Sequence, residues 1–155
     1  MGGMRRCSIS RWGRDLVDRT QLKEIAAAYV QHYSTPHVWT EEQVLVIRDN
    51  SSTNWAVENV SEIEYERPEL LLDLVLEVLE LKPSKEVLEI LSAGPLEDYL
   101  GKLGEQAIGR VEALAISNPA FASLLGGVWQ GRMTDDIWSR VQAVWDRRGW
   151  DGIPE

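Results

Sequence analysis

Residues 68–81, PELLLDLVLEVLEL, hold nine large aliphatic residues in fourteen positions and decide the fold. Four acidic residues interrupt this run at steps of four, four and three: Glu69, Asp73, Glu77 and Glu80. On a helix this spacing places the carboxylates in one narrow stripe and leaves apolar side chains over the rest of the surface. Such a helix must be covered by neighbours on nearly every side, so we expect it to be the central helix of a small helical domain.

The rest of the chain shows the same helical periodicity in shorter segments. Apolar residues from Leu22 to Tyr33 recur at steps of three and four, and Pro36 follows where this helix should end. Downstream, Gly94-Pro95 and Asn118-Pro119 predict ends and starts of helices, and Thr134 precedes the last one. We therefore predict an all-α fold: a compact bundle or short solenoid-like stack of about seven to eight short helices.

Two parts of the chain are less clearly defined. Residues 1–19 are rich in arginine and predict a basic N-terminal arm that is partly disordered, before a single all-α domain at 20–155. The MGGM opening leaves open whether residues 1–3 are native. Residues 40–48 fit either a helix, which Thr40 and Gln43 would cap, or a short β-branched strand. Helix is favoured, because no second strand-like run offers a partner.

The charge distribution narrows the classes of partner. The net charge is −9, and residues 24–105 alone carry seventeen acidic and five basic side chains. A surface of that sign repels nucleic acid and anionic lipid, so we expect no nucleic-acid and no membrane partner. It attracts a basic protein, although an acidic face that only confers solubility is the simpler interpretation.

Composition also bears on localisation. The lone Cys7 excludes an internal disulfide framework, which fits a reducing compartment. The acidic stripe interrupts the longest apolar run, and no signal-peptide core follows the N-terminal arginines. These features predict a cytoplasmic protein.

No pattern of residues predicts a reaction, and we expect no metal and no cofactor. The residues that most resemble metal ligands are His32, His37, Glu41 and Glu42, but the histidines are five apart with a proline between them. The acidic pairs 97–98 and 135–136 fall in first turns of helices, where exposed N–H groups stabilise negative charge. Residues 126–127, Gly-Gly, predict a helix-ending turn rather than a phosphate loop.

The seven tryptophans divide into two groups. Three fall on predicted inner faces and are expected in the core: Trp55, Trp138 and Trp145. Four fall near loops or chain ends and together suggest a partner surface: Trp12, Trp39, Trp129 and Trp150.

Several segments of the C-terminal half carry a resemblance to a known family. They are SAGPLEDYL (92–100), RVEALA (110–115), NPAFASLLGGVW (118–129) and IWSRVQAVW (137–145), preceded by the apolar stretch at 68–81. Over residues 68–146 or so, the chain resembles an uncharacterised family of small all-helical bacterial domains. The resemblance implies an all-α fold and no assigned activity. Within it lie four polar positions on otherwise apolar helices, which either form buried ion pairs that fix helix register or line a ligand pocket: Glu97, Arg110, Glu112 and Arg140.

The leading functional hypothesis is a non-enzymatic protein-interaction module with an acidic, Trp-containing surface. Immunity proteins, which neutralise toxic and often basic enzymes, are of this kind. The candidate partner-binding residues are Glu58, Glu62, Glu66, Glu69, Asp73, Glu77, Trp39 and Trp129. One alternative is an enzyme or small-ligand domain with an inter-helix pocket that uses Glu97, Arg110 and the histidines. The other is a self-associating protein, a homodimer through its Trp-bearing ends.

Overall fold

A computed structural model describes residues 18–34 and 52–154 of the chain. Within those ranges the helices are α1 (Arg19–Tyr33), α2 (Asn54–Glu66), α3 (Leu71–Glu80), α4 (Lys85–Leu91), α5 (Glu97–Leu103), α6 (Glu105–Ser117), α7 (Pro119–Leu125) and α8 (Asp135–Val144). The described residues contain no strand, and the predicted all-α fold is confirmed. Helix α3 contacts α1, α2 and α7, so packing extends beyond neighbours in the chain and the architecture is a bundle. None of the described helices is long and apolar enough to cross a bilayer.

Helix α1 begins at Arg19, three residues before Leu22, where the apolar periodicity of the sequence starts. Its N-cap is Asp18, whose carboxylate accepts from the backbone N–H of Gln21, while the Gln21 side chain accepts from the N–H of Asp18. This reciprocal pair satisfies two of the N–H groups that a helix start leaves without partners. Residues 1–17 of the predicted arm, and the ambiguous residues 40–48, lie outside the described residues.

The apolar stretch at 68–81 forms the centre of the bundle. A single 3-10 turn, Pro68–Leu70, leads into α3. Five of the ten α3 residues have an exposed fraction of 1% or less, and they face neighbours on several sides: Leu71, Leu72, Leu74, Val75 and Val78. The expected central helix is therefore present, with its α-helical part beginning at Leu71.

The predicted break at Gly94-Pro95 is wrong. Helix α4 continues into α5 through a π-type turn, Ser92–Leu96, with helical backbone angles at Leu91, Ser92 and Leu96. Pro95 has no N–H to donate to the preceding turn, and widening the helix there accommodates its ring. The buried Ser92 hydroxyl donates to the carbonyl of Leu124 at 2.9 Å and joins this turn to α7.

The residues after α8 return across the end of α7. The Asp146 N–H donates to the carbonyl of Ala122 at 2.9 Å, and the Trp150 indole N–H donates to the carbonyl of Ser123 at 2.7 Å. A Cβ on Gly126 would lie 2.1 Å from the Asp146 carbonyl oxygen, and one on Gly127 would lie 2.4 Å from the Trp150 ring. The Gly-Gly pair does end a helix, as predicted, but it also admits this returning segment.

The burial of the tryptophans agrees only in part with the prediction from the sequence. Trp150 was expected near the surface but is 9% exposed, because its ring fills the space above Gly127 and lies under the Lys85 ammonium group. The three tryptophans expected in the core pack against it while partly buried: Trp55, Trp138 and Trp145. Trp138 and Trp145 meet edge to face, with ring centroids 5.2 Å apart.

Candidate functional site

Tyr65, on the outward side of α2, is the most exposed large hydrophobic residue in the part of the chain that the structure describes. Glu58, Glu62 and Tyr65 occupy positions i, i+4 and i+7 and therefore share one side of the helix, with Glu66 beside them. The Tyr65 side chain is 88% exposed. The opposite side of α2 is buried through Ala56, Asn59, Val60 and Ile63. We call Glu58, Glu62, Tyr65 and Glu66 the α2 face.

Tyr65 is absent from the sequence-based candidates, although a signal for it exists. Counting the spacing from Glu58 to Tyr65 places the tyrosine on the side opposite the apolar residues. An aromatic residue in a row of carboxylates is a stronger indication of a binding surface than the carboxylates alone.

Three of the predicted partner-binding carboxylates follow α2 in the chain, and each of them is paired with a basic side chain. Glu69 pairs with Arg67, and Asp73 accepts from Arg110 Nη2 at 2.6 Å. Glu77 accepts from Arg19 Nε at 3.0 Å and lies 3.9 Å from Lys23 Nζ. Partner binding by Glu69, Asp73 and Glu77 stays a prediction, and it would compete with these ion pairs.

A second group of acidic residues lies where α5 begins, beside α2. Asp98 lies 3.4 Å from Arg132 Nη2, and Glu64 of α2 lies 3.4 Å from Lys102 Nζ. Burial raises the pKa of Asp98 above its ordinary value, and the neighbouring carboxylate of Glu64, within hydrogen-bonding reach, raises it further. We call Glu64, Glu97 and Asp98 the carboxyl cluster.

The carboxyl cluster leads from α2 towards Trp129. Burial raises the pKa of Glu97, and a hydrogen bond from the backbone N–H of Trp129 partly opposes that increase. The Trp129 side chain is 68% exposed, in agreement with its predicted surface position. It borders a cleft of about 250 Å³ that Arg147 and Trp150 also line. That volume is below the roughly 300–1,000 Å³ of typical small-molecule sites.

Three of the four polar positions singled out in the sequence, Arg110, Glu112 and Arg140, form ion pairs, and these pairs are more exposed than expected. The fourth, Glu97, accepts a hydrogen bond from the backbone N–H of Trp129 instead. Arg140 donates to both carboxylate oxygens of Glu112, with exposed side-chain fractions of 42% and 28%. Arg110 pairs with Asp73 across α6 and α3, and both are about half exposed. Pairs this open to solvent contribute little to stability. They connect helices, yet the expectation of burial is wrong because the long arginine side chains reach over the bundle surface.

The residues proposed for an inter-helix pocket are not brought together. Arg110 lines a groove against α1 and α3, Glu97 lies by Trp129, and His32 lines a separate hollow on α2. His32 Nδ1 is 2.9 Å from the Thr53 hydroxyl, and burial lowers the pKa of its imidazole. Among the residues that the structure describes, no three His, Cys, Asp or Glu side chains are placed so that they could hold one metal ion. The other members of the sequence-based sets lie outside the described residues: Trp12, His37, Trp39, Glu41 and Glu42.

We expect Asp98→Asn to raise the free energy of unfolding at neutral pH, by less than about 1 kcal/mol because the group is partly solvated. A carboxyl group with a raised pKa stabilises the fold fully below its ordinary value of 3.8, and this stabilisation is lost as the pH rises through the raised pKa. The difference in free energy of unfolding between the variant and wild type should therefore become smaller as the pH falls toward about 4. Urea denaturation at several pH values measures it.

Asp136→Asn is the control, since Asp136 is an exposed aspartate at a free helix start, that of α8, whereas α5 continues from α4. Its carboxylate gains from the helix dipole, and its loss should lower the free energy of unfolding by about 0.3–1 kcal/mol. If Asp98→Asn destabilises the protein at pH 7 as the control does, the carboxyl cluster does not oppose ionisation.

Comparison with known proteins finds one family. A family model described as "Family of unknown function (DUF6869)" matches residues 41–149, more than half of the chain. The match begins upstream of the segments that carry the sequence resemblance. No curated protein and no solved structure matches.

Proposed function

The chain belongs to this family of unknown function, and from that premise we propose that it is a non-enzymatic protein-interaction module whose α2 face binds a basic protein partner. The observation that carries the proposal is Tyr65, an aromatic side chain 88% exposed among Glu58, Glu62 and Glu66. Aromatic residues bury a large area with few torsions to freeze and are enriched at the centres of interfaces.

The surrounding carboxylates supply the second element of recognition. Complementary charge accelerates encounter and disfavours wrong partners, while the apolar anchor slows dissociation. The protein's net charge of −9 favours a basic partner at long range as well. A partner wide enough to reach Trp129 would also cross the carboxyl cluster, where Lys102 and Arg132 partly offset the negative charge.

An immunity-type role is the specific form of this proposal. In it, the basic partner is a toxic enzyme, and the α2 face covers the positively charged surface with which that enzyme holds its substrate. The test of this form is enzymatic: the activity of an isolated partner is measured with and without an equimolar amount of the protein. If a partner binds and keeps its full activity, the immunity-type role is contradicted, but the proposal of a protein-interaction module is not.

The α2 face itself is tested by charge reversal. Immobilised wild-type protein and Glu58→Lys/Glu62→Lys are compared for retention of basic proteins from an extract of the native host, at low and high salt. We expect the double variant to associate at least tenfold more slowly with a partner that wild type retains, because its charge complementarity is reversed. Tyr65→Ala should weaken the same complex by about 2 kcal/mol, chiefly through faster dissociation.

Glu80→Lys/Glu86→Lys is the matched control. Both residues are exposed, they lie outside the α2 face, and the change in net charge is the same. If the control variant weakens binding as much as the α2 variant does, the loss of binding comes from the change in net charge and not from the α2 face. Retention that is insensitive to salt and to Tyr65→Ala would overturn the proposal.

A further inference from the structure

A groove between α1, α3 and α6 lies apart from the α2 face and has the size of a ligand site. Leu22 of α1, Leu70 of the 3-10 turn and Leu76 of α3 supply its apolar lining. Its volume is about 430 Å³, within the range of roughly 300–1,000 Å³ that small-molecule sites occupy. The groove can therefore accommodate a small organic molecule with an apolar portion.

The charged side chains of the groove are two arginines and two carboxylates. Arg19 pairs with Glu77, and Arg110 pairs with Asp73. Lys23 lies outside this lining, 3.9 Å from Glu77. The charges that line the groove are therefore balanced, in a chain whose net charge is −9.

Both guanidinium groups retain capacity to bind. Arg19 donates to Glu77 through Nε, and Arg110 donates to Asp73 through Nη2 while also contacting the Tyr99 hydroxyl. Each guanidinium carries five N–H donors in a rigid fork, so these contacts use only part of its capacity. The fork geometry matches a carboxylate, which it can hold with two parallel hydrogen bonds.

We propose that this groove binds a small aliphatic monocarboxylate, with the hydrocarbon chain on Leu22, Leu70 and Leu76 and the carboxylate on Arg110. Arg19 supports the same charge from the opposite wall. The leucines contribute through burial of the chain, at about 0.8 kcal/mol for each methylene group removed from water. This site is independent of the α2 face and remains even if no protein partner binds there.

Sodium octanoate is the probe, followed through the methyl NMR signals of the leucines. We expect saturable shifts centred on the three groove leucines, with affinity at least tenfold higher than for acetate or octylammonium. Acetate lacks the chain and octylammonium lacks the anion, so each removes one element of recognition. The proposal is overturned if octylammonium binds as tightly as octanoate, or if the shifts lie elsewhere in the protein.

The variant that tests the guanidinium is Asp73→Asn/Arg110→Gln, which removes the ion pair without leaving one charge behind. It should bind octanoate at least tenfold more weakly. Glu112→Gln/Arg140→Gln removes the matched pair between α6 and α8 and should bind like wild type. Circular dichroism establishes that both variants are folded.

Should the first double variant fail to fold, Arg110→Lys keeps the charge and loses the fork, and weaker octanoate binding is again expected. Unchanged affinity in every folded Arg110 variant would refute the site.

Discussion

Replacing Leu72 by alanine is expected to lower the free energy of unfolding by about 2–5 kcal/mol. Leu72 has no exposed surface and lies in α3, which contacts α1, α2 and α7. Truncation loses the transfer free energy of the deleted methyl groups and leaves a cavity that close-packed neighbours fill only in part. Urea denaturation followed by circular dichroism measures the loss.

Leu81→Ala makes the same chemical change at the end of the same stretch. Leu81 is 49% exposed and follows the last residue of α3, so we expect a loss below about 1 kcal/mol. Equal losses for the two variants would mean that α3 is not the centre of the core.

Gly126→Ala is expected to lower the free energy of unfolding by about 3 kcal/mol, the upper part of the usual range for overpacking. Its Cβ would lie 2.1 Å from the Asp146 carbonyl oxygen, which is backbone and cannot rotate away. The segment from Asp146 to Trp150 would have to leave the end of α7. That displacement breaks the bond from the Asp146 N–H to Ala122 and the one from the Arg147 guanidinium to the carbonyl of Gly126.

Gly109→Ala provides the control, because Gly109 is exposed in the middle of α6 and a Cβ there would meet nothing within 4 Å. Alanine restricts the unfolded chain and favours the helix, so stability should rise by about 0.5–1 kcal/mol. Urea denaturation followed by circular dichroism measures the free energy of unfolding of both variants, which should change in opposite directions. Gly126→Ala stability at the wild-type level would refute the close approach.

The features predictable from the sequence are those that depend on local spacing. The apolar periodicity of α1 places Leu22, Ile25 and Tyr29 in the core, where they are buried. The cap at Thr134 is found as expected, with its hydroxyl accepting from the Ile137 N–H at 3.3 Å. In each case the signal lies within a few residues of its consequence.

Pairings between distant parts of the chain were not predictable. Arg19 and Glu77 are 58 residues apart, and Arg110 and Asp73 are 37 apart. Whether a carboxylate stripe faces solvent or cations depends on which helices pack together, and periodicity does not specify that. The approach of Asp146 to Gly126 and the continuation of the helix through Pro95 depend on tertiary packing in the same way.

Parts of the candidate site were likewise predictable from local spacing, and other parts depended on the fold. The carboxylates of the α2 face follow from their four-residue spacing, and Tyr65 follows from helical periodicity because it lies seven residues after Glu58. The carboxyl cluster does not, since it joins Glu64 to Asp98 across two helices. Trp129 was recognised as a surface residue because it follows the helix-ending glycines, but its link to Glu97 required the fold.

The edge-to-face indoles of Trp138 and Trp145 also give the protein an optical signature. Their centroids lie 5.2 Å apart with planes 87° to one another, close enough for the electronic transitions of the two rings to couple. Such a coupled pair adds an exciton couplet to the far-ultraviolet circular dichroism, superimposed on the helical bands. Its disappearance reports loosening at the end of α8 even while the other helices remain intact, so local and global unfolding can be distinguished in a single spectrum.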